Sequence, residues 1–258
     1  MSNHILQHIE SGILKLQLNR PEKKNALTHA MYATLAHALN SANSDSSIRA
    51  IYLTGTKDIF TAGNDISDFA SNPPKGKEAS VIQFLTSLAK LTKPLIVAAN
   101  GPAVGVGTTL MLHSDFVILG TETYLQMPFV SLGLCPEAAS SYLLPLHVGY
   151  PKTAEWLLLG NRFTAQEAKE ARLINEVLPA DQYQKRALEI ATQISELPTA
   201  AVAASRALIK SHHHSAVLNT IDSECEIFYE RLNSPEAKEA FSAFFQKRKP
   251  DFQQFNEQ

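Results

Sequence analysis

Two glycine-bearing turns, each placed after a five-residue apolar run, constrain this chain more than any other feature. Ala50-Ile51-Tyr52-Leu53-Thr54 leads into Phe60-Thr61-Ala62-Gly63-Asn64-Asp65. Leu95-Ile96-Val97-Ala98-Ala99 leads into Asn100-Gly101-Pro102-Ala103-Val104-Gly105-Val106-Gly107, which opens a helix. Ile13-Leu14-Lys15-Leu16-Gln17-Leu18 alternates after its first residue, as a half-buried strand does, and a further strand falls near 116–119. Residues 28–40 read as a helix with Thr28 as N-cap and Met31, Leu35 and Leu39 on one face. Strands alternating with helices predict an α/β layered fold with crossover connections.

The 258 residues suit one large domain or a domain with an appendage. A formal net charge of -2 argues against a general nucleic-acid or acidic-membrane binder, and no apolar run approaches a membrane span. The start, Met1-Ser2-Asn3-His4, lacks the cationic-then-apolar order of a secretory signal, and Asn256-Glu257-Gln258 is not a peroxisomal ending. Cys135 and Cys225 are too few for a disulfide framework and lack metal-site spacing, so a reducing cytoplasm is the expected compartment. After Pro151 the chain reads as mainly helical. Thr164-Ala165-Gln166-Glu167 fits a capping box, and a long Ala-rich helix is predicted from Thr199 to His212-His213-His214. Ser234-Pro235 then caps a last helix that carries Phe241, Phe244 and Phe245 and ends in Lys247-Arg248-Lys249. That much aromatic surface calls for something to pack on, such as another subunit.

The chemistry rests on few residues. Two turns at strand ends can aim two backbone N–H groups at one oxygen atom, and a nearby carboxylate can then move a proton. This is a layout that stabilises an enolate. Glu137, within Leu134-Cys135-Pro136-Glu137-Ala138-Ala139-Ser140-Ser141, is the candidate carboxylate. Its position fits two readings equally: a first-turn glutamate on a helix dipole, or a general base whose apolar surroundings raise its pKa. Ser71-Asn72-Pro73-Pro74-Lys75-Gly76-Lys77 is equally a solvated turn or a mobile flap.

Other constellations are weaker. Gly105-Val106-Gly107 starts like a dinucleotide fingerprint, but Leu110 stands where the third glycine belongs. Cys135 reads as a small buried residue rather than a nucleophile, and without a Gly-x-Ser-x-Gly elbow Ser140 or Ser141 with His147 makes a poor hydrolase. The three adjacent histidines cannot all face one metal and read as a solvated helix end. Asp65 and Asp68 are expected to cap or orient the first loop, and no metal site is expected.

Taken together, Leu18-Asn19-Arg20-Pro21, Asn25-Ala26-Leu27, Phe60 to Ile66, Lys93-Pro94, Asn100 to Gly105 and Phe244-Phe245-Gln246-Lys247-Arg248 resemble the crotonase superfamily of enoyl-CoA hydratases and isomerases over nearly the whole length. The resemblance implies a crotonase spiral of repeated ββα units over 1–198 with the CoA and acyl site, and a helical oligomerisation region over 199–258. It implies homotrimers or dimers of trimers. Carried over residue by residue, the oxyanion donors are the N–H groups of Asn64 and Val106, the latter standing where the family has glycine. Lys24, Ala26, Ala62, Gly63, Asn64, Asp65, Ile66, Gly105, Val106 and Phe129 would hold an acyl-CoA thioester, whose coenzyme A is part of the substrate rather than a separate cofactor. Hydratases carry two glutamates at the places of Thr109 and Phe129. With neither present, Pro136-Glu137 resembles instead the motif of Δ3,Δ2-enoyl-CoA isomerases of peroxisomal type, with Glu137 as the proton carrier.

Overall fold

The computed structural model describes residues 4–74 and 76–255. Lys75 of the expected loop and the terminal stretches 1–3 and 256–258 lie outside them. Strands β1 (Ile5–Glu10) and β2 (Ile13–Leu18) form an antiparallel hairpin. Helix α1 (His29–Ser44) follows, capped as expected by Thr28, whose side chain accepts from Met31 N at 3.3 Å, and running four residues past Asn40. Then come β3 (Ala50–Thr54), α2 (Ile66–Ser71), α3 (Ser80–Ala89) and β4 (Leu95–Ala99). β5 (Pro102–Val104), α4 (Val106–Thr109), β6 (Phe116–Gly120) and β7 (Tyr124–Gln126) complete the central turns of the fold.

The remainder is chiefly helical: α5 (Ser140–Val148), α6 (Tyr150–Ala154), α7 (Ala165–Glu170), α8 (Tyr183–Glu196), α9 (Thr199–Leu232) and α10 (Pro235–Gln246), with short strands β8 (Phe163–Thr164) and β9 (Glu176–Leu178) between. The capping box at Thr164 and the Ser234 cap are both formed. The long helix differs from expectation. It continues unbroken to Leu232, so His212, His213 and His214 lie exposed in its middle rather than at its end.

A six-stranded sheet in the order β1-β2-β3-β4-β6-β9 is parallel beyond the first hairpin, and a smaller sheet runs β5-β7-β8. The chain passes repeatedly from a long strand of the first sheet to a short strand of the second and returns through a helix, which is the ββα spiral. Ile51, Leu53, Leu95, Val97 and Ala99 face the main core, whereas Ala50, Tyr52, Ile96 and Ala98 face a second core under α8. Burial on both faces explains why these strands are continuous apolar runs. α9 and α10 add Val217, Ile221, Phe228, Leu232 and Ala237 to the main core. Among the described residues no helix is long and apolar enough to cross a membrane.

Candidate functional site

The two glycine turns meet because Thr61, ahead of the first, bridges to β5, the strand that leads into the second. Thr61 bridges Ala103 in parallel register, with Thr61 N donating to Pro102 O at 2.9 Å and Val104 N donating to Thr61 O at 3.0 Å. The chains then leave side by side. Gly63 lies at φ 89°, and a Cβ there would stand 2.9 Å from Val104 O, so only glycine lets the turns touch.

Almost every amide of the first turn is committed. Ala62 N donates to Lys24 O at 2.9 Å, Gly63 N to Thr61 Oγ1 at 3.1 Å, and Asp65 N to Leu27 O at 2.9 Å. Among the described residues Asn64 N–H has no such partner. In the second turn Gly105 N donates to Gln126 O at 2.8 Å, while Val106 N–H, at the start of α4, is likewise without one. The two amides named as donors are thus left over by the backbone pattern around them.

Asp65 and Asp68 act as expected. Asp65 accepts from Ser67 N and Asp68 N and pairs with Arg20 at 2.7 Å. Burial opposes its charge, but Arg20 and those amides outweigh it and hold the carboxyl below its ordinary range. Asp68 Oδ2 accepts from His29 N at 2.7 Å and so helps to start α1.

Glu137 is 5% exposed and lies three residues ahead of α5, so it is not a solvated first-turn glutamate. Ala138 and Ala139 after it both adopt positive φ, and the strained bend is pinned from two sides. Ala139 N donates to Glu224 Oε2 at 2.6 Å and Ser141 N to Glu224 Oε1 at 2.9 Å. His113 Nε2 meets Ala138 O at 2.7 Å, and burial drops the imidazole to about 4, so it is a neutral donor. Burial first, and the Glu224 carboxylate second, push Glu137 up to about 8, while the Thr109 hydroxyl works in the opposite direction.

Burial also raises Glu224, but it accepts three hydrogen bonds where Glu137 has one long contact. Of this coupled pair, Glu224 therefore ionises first and Glu137 retains the proton. Burial, then Glu224, drive the Cys135 thiol to about 12, which removes it as a nucleophile. Ser141 donates to Glu224, not to His147.

The expected substrate-holding residues, Val106 apart, line one chamber, and the expected catalytic carboxylate lines another. Lys24, Ala26, Ala62 to Ile66, Gly105 and Phe129 line a cleft of about 700 Å³. Glu137 lines an adjoining cavity of about 200 Å³ with Phe69, Val81, Ile82, Leu85 and Phe228, and Phe69 and Phe228 belong to both. Val106 is buried at 1% and lines neither chamber with its side chain. The loop read as turn or flap sends Pro74, Gly76 and Lys77 onto the inner cavity, and Lys77 Nζ reaches Asp222 Oδ2 on α9 at 2.6 Å. Sequence reasoning missed Glu224 and also Tyr32, a fully buried residue of α1 whose hydroxyl donates to Asn64 Oδ1.

Residues 8–256 match the enoyl-CoA hydratase/isomerase family model. The chain is 36% identical to 1,2-epoxyphenylacetyl-CoA isomerase of Escherichia coli (strain K12) over 98% of its own length and 99% of that protein. It is 32% identical to peroxisomal enoyl-CoA delta isomerase 3 of Mus musculus, over 96% of this chain and 80% of the relative. Among solved structures, Pseudomonas aeruginosa OdaA superposes with a TM-score of 0.92 at 43% identity, covering 94% of this chain and 99% of that one. An enoyl-CoA hydratase/isomerase from Pseudoalteromonas atlantica T6c gives 0.92 at 41%, covering 96% and 99%.

Proposed function

The chain belongs to the enoyl-CoA hydratase/isomerase family, the crotonases, and on that premise we propose that this enzyme is a Δ3,Δ2-enoyl-CoA isomerase. The observation that carries the reading is Glu137, the buried carboxyl of the inner chamber, with a pKa near 8, while Thr109 and Phe129 stand at the two hydratase carboxylate positions. The enoyl-CoA delta isomerase among the relatives supports it.

A 3-enoyl thioester lies with its CoA portion along Lys24, Ala26 and residues 62–66, and its acyl tail turned into the apolar chamber. Ionised Glu137 takes a C2 proton, and the C–H pair becomes the C1–C2 double bond of a dienolate whose charge rests on the thioester oxygen. Asn64 N–H and Val106 N–H donate to that oxygen, each removal costing about 2.7–4 kcal/mol in measured oxyanion holes. The neutral Glu137 carboxyl returns the proton at C4, leaving the double bond between C2 and C3. One carboxyl suffices because it is restored with each turnover.

A second reading is favoured by the 36% identical relative named for an epoxide isomerisation: a ring-bearing acyl-CoA would use the same amides on the same carbonyl. The apolar chamber of about 200 Å³ exceeds the roughly 150 Å³ cavity known to hold benzene, so a ring fits as well as a short aliphatic tail.

The test is deuterium incorporation from solvent into 3-hexenoyl-CoA, with turnover followed beside it. Wild type should exchange C2–H and form the 2-enoyl product, and Glu137→Gln should bind the thioester and do neither. Efficient turnover of the epoxyphenylacetyl thioester with none of 3-hexenoyl-CoA would favour the second reading.

A further inference from the structure

Asn64 is tethered to the start of α1 twice. Leu27, directly before the Thr28 cap, grips the backbone on both sides of Asn64: Leu27 N donates to Gly63 O at 2.8 Å, and Leu27 O accepts from Asp65 N at 2.9 Å. One turn into the helix, Tyr32 grips the side chain. Its ring is fully buried and packs edge-on to Phe69 with centroids 6.2 Å apart and against Phe84 at 5.4 Å. Its hydroxyl donates to Asn64 Oδ1.

We infer that Tyr32 is a positioning residue for the first amide donor: by holding the Asn64 side chain it keeps the Gly63–Asn64 peptide turned with its N–H toward the thioester oxygen. The inference rests on the isomerase reading of this site. The physical need is specific. The peptide follows a glycine at positive φ, where rotation meets little steric resistance. One backbone hydrogen bond from Leu27 opposes a flip, and a clamp on the Asn64 side chain supplies the second restraint. A fully buried hydroxyl also needs a partner, and Asn64 provides it. Burial, reinforced by the nearby Glu137 charge, keeps the phenol protonated, so Tyr32 is a constant donor rather than an acid or base.

The experiment compares wild type, Tyr32→Phe, Asn64→Ala and the double variant by C2–H exchange, turnover and the absorbance of a bound 2,4-dienoyl-CoA, which reddens as its carbonyl is polarised. Each single change should lower kcat about tenfold with KM little altered, and the double variant should lose no more than the worse single one, since both cut one link. The midpoint of the pH–rate curve should stay in place, and the red shift should shrink in each variant. Multiplying losses, an unmoved red shift, wild-type turnover by Tyr32→Phe or a displaced midpoint would each overturn the inference. If Tyr32→Phe fails to fold, Asn64→Ala answers alone through the red shift, since it removes the clamp from the cleft side. A wild type that exchanges no C2–H defeats the isomerase reading, and the inference with it. Exchange by wild type with unaltered variants defeats the inference only.

Discussion

The hydroxyl of Thr109 lies 3.5 Å from Oε1 of Glu137, and both residues are buried. At that length the contact is weak, but it favours the ionised form. In the proposed mechanism Glu137 must be ionised to take a proton, so kcat/KM should rise with pH through about 8 and then level off. Thr109→Val keeps the shape and deletes the donor. It should move this rise to higher pH while leaving the plateau rate within a few-fold of wild type, as a pH–rate series will show. A collapse of the plateau would give Thr109 a role in the chemistry itself.

Glu224 acts on the same curve from the other side. As an ionised neighbour it is the second cause of the raised Glu137 value. Glu224→Gln removes the charge and should shift the rise in kcat/KM to lower pH. It should also weaken the bend at Ala138 and Ala139, because a carboxamide offers one accepting oxygen to three donors. One buried donor left unpaired costs about 1–3 kcal/mol, visible as a lower thermal midpoint.

Stability carries the signature of the same carboxyl. Glu137 is held at about 8 in the fold against 4.5 ordinarily. Between these values the folded chain keeps a proton that the unfolded chain has lost. Stability therefore falls as pH rises from about 4.5 to about 8, since the unfolded state binds fewer protons. Glu137→Gln should flatten this decline, so its thermal midpoint should gain on wild type as the pH approaches 8. Parallel curves for the two proteins would mean that Glu137 titrates normally.

What could be read from the chain alone followed the range of the forces involved. Caps at Thr28, Thr164 and Ser234 act within three residues and were legible, and strands at 50–54 and 95–99 announced themselves by burial on both faces. β1 escaped because only Ile5 of its six residues is buried, which leaves no alternation to see. β5, β7 and β8 are too short to show a period. The polar histidine run imitated a helix end, although α9 continues for eighteen residues beyond His214, to Leu232. At the site, Glu137 and the two turns carry local motifs. Glu224 bonds an amide 85 residues away, and Tyr32 an asparagine 32 away, so neither leaves a spacing to find.

The contact between the two turns can be tested at Gly63. An alanine Cβ would face Val104 O at 2.9 Å from a backbone at φ 89°, so the turns must part or the peptide must rotate. Either change misdirects Asn64 N–H. Gly63→Ala should therefore fold and bind CoA, yet lose turnover by as much as about 10²-fold, the scale of one lost oxyanion donor. The bound dienoyl-CoA absorbance should lose its red shift in parallel. A variant with normal kcat would show that the turns need no direct contact.

Lys77 and Asp222 join the loop over the inner chamber to α9, and both side chains are largely exposed, at 70% and 46%. An ion pair so placed adds little to global stability, because solvent screens it and the long lysine side chain is immobilised to form it. Its effect should be local. Lys77→Ala should leave the thermal midpoint unchanged while amide exchange across residues 72–80 quickens. The loop supplies Pro74 and Gly76 to the chamber wall, so its release should raise KM for a 3-enoyl thioester more than it lowers kcat. High salt should reproduce part of this change in wild type and none of it in the variant. Unchanged exchange in the loop together with unchanged KM would leave the pair without a part in closing the chamber.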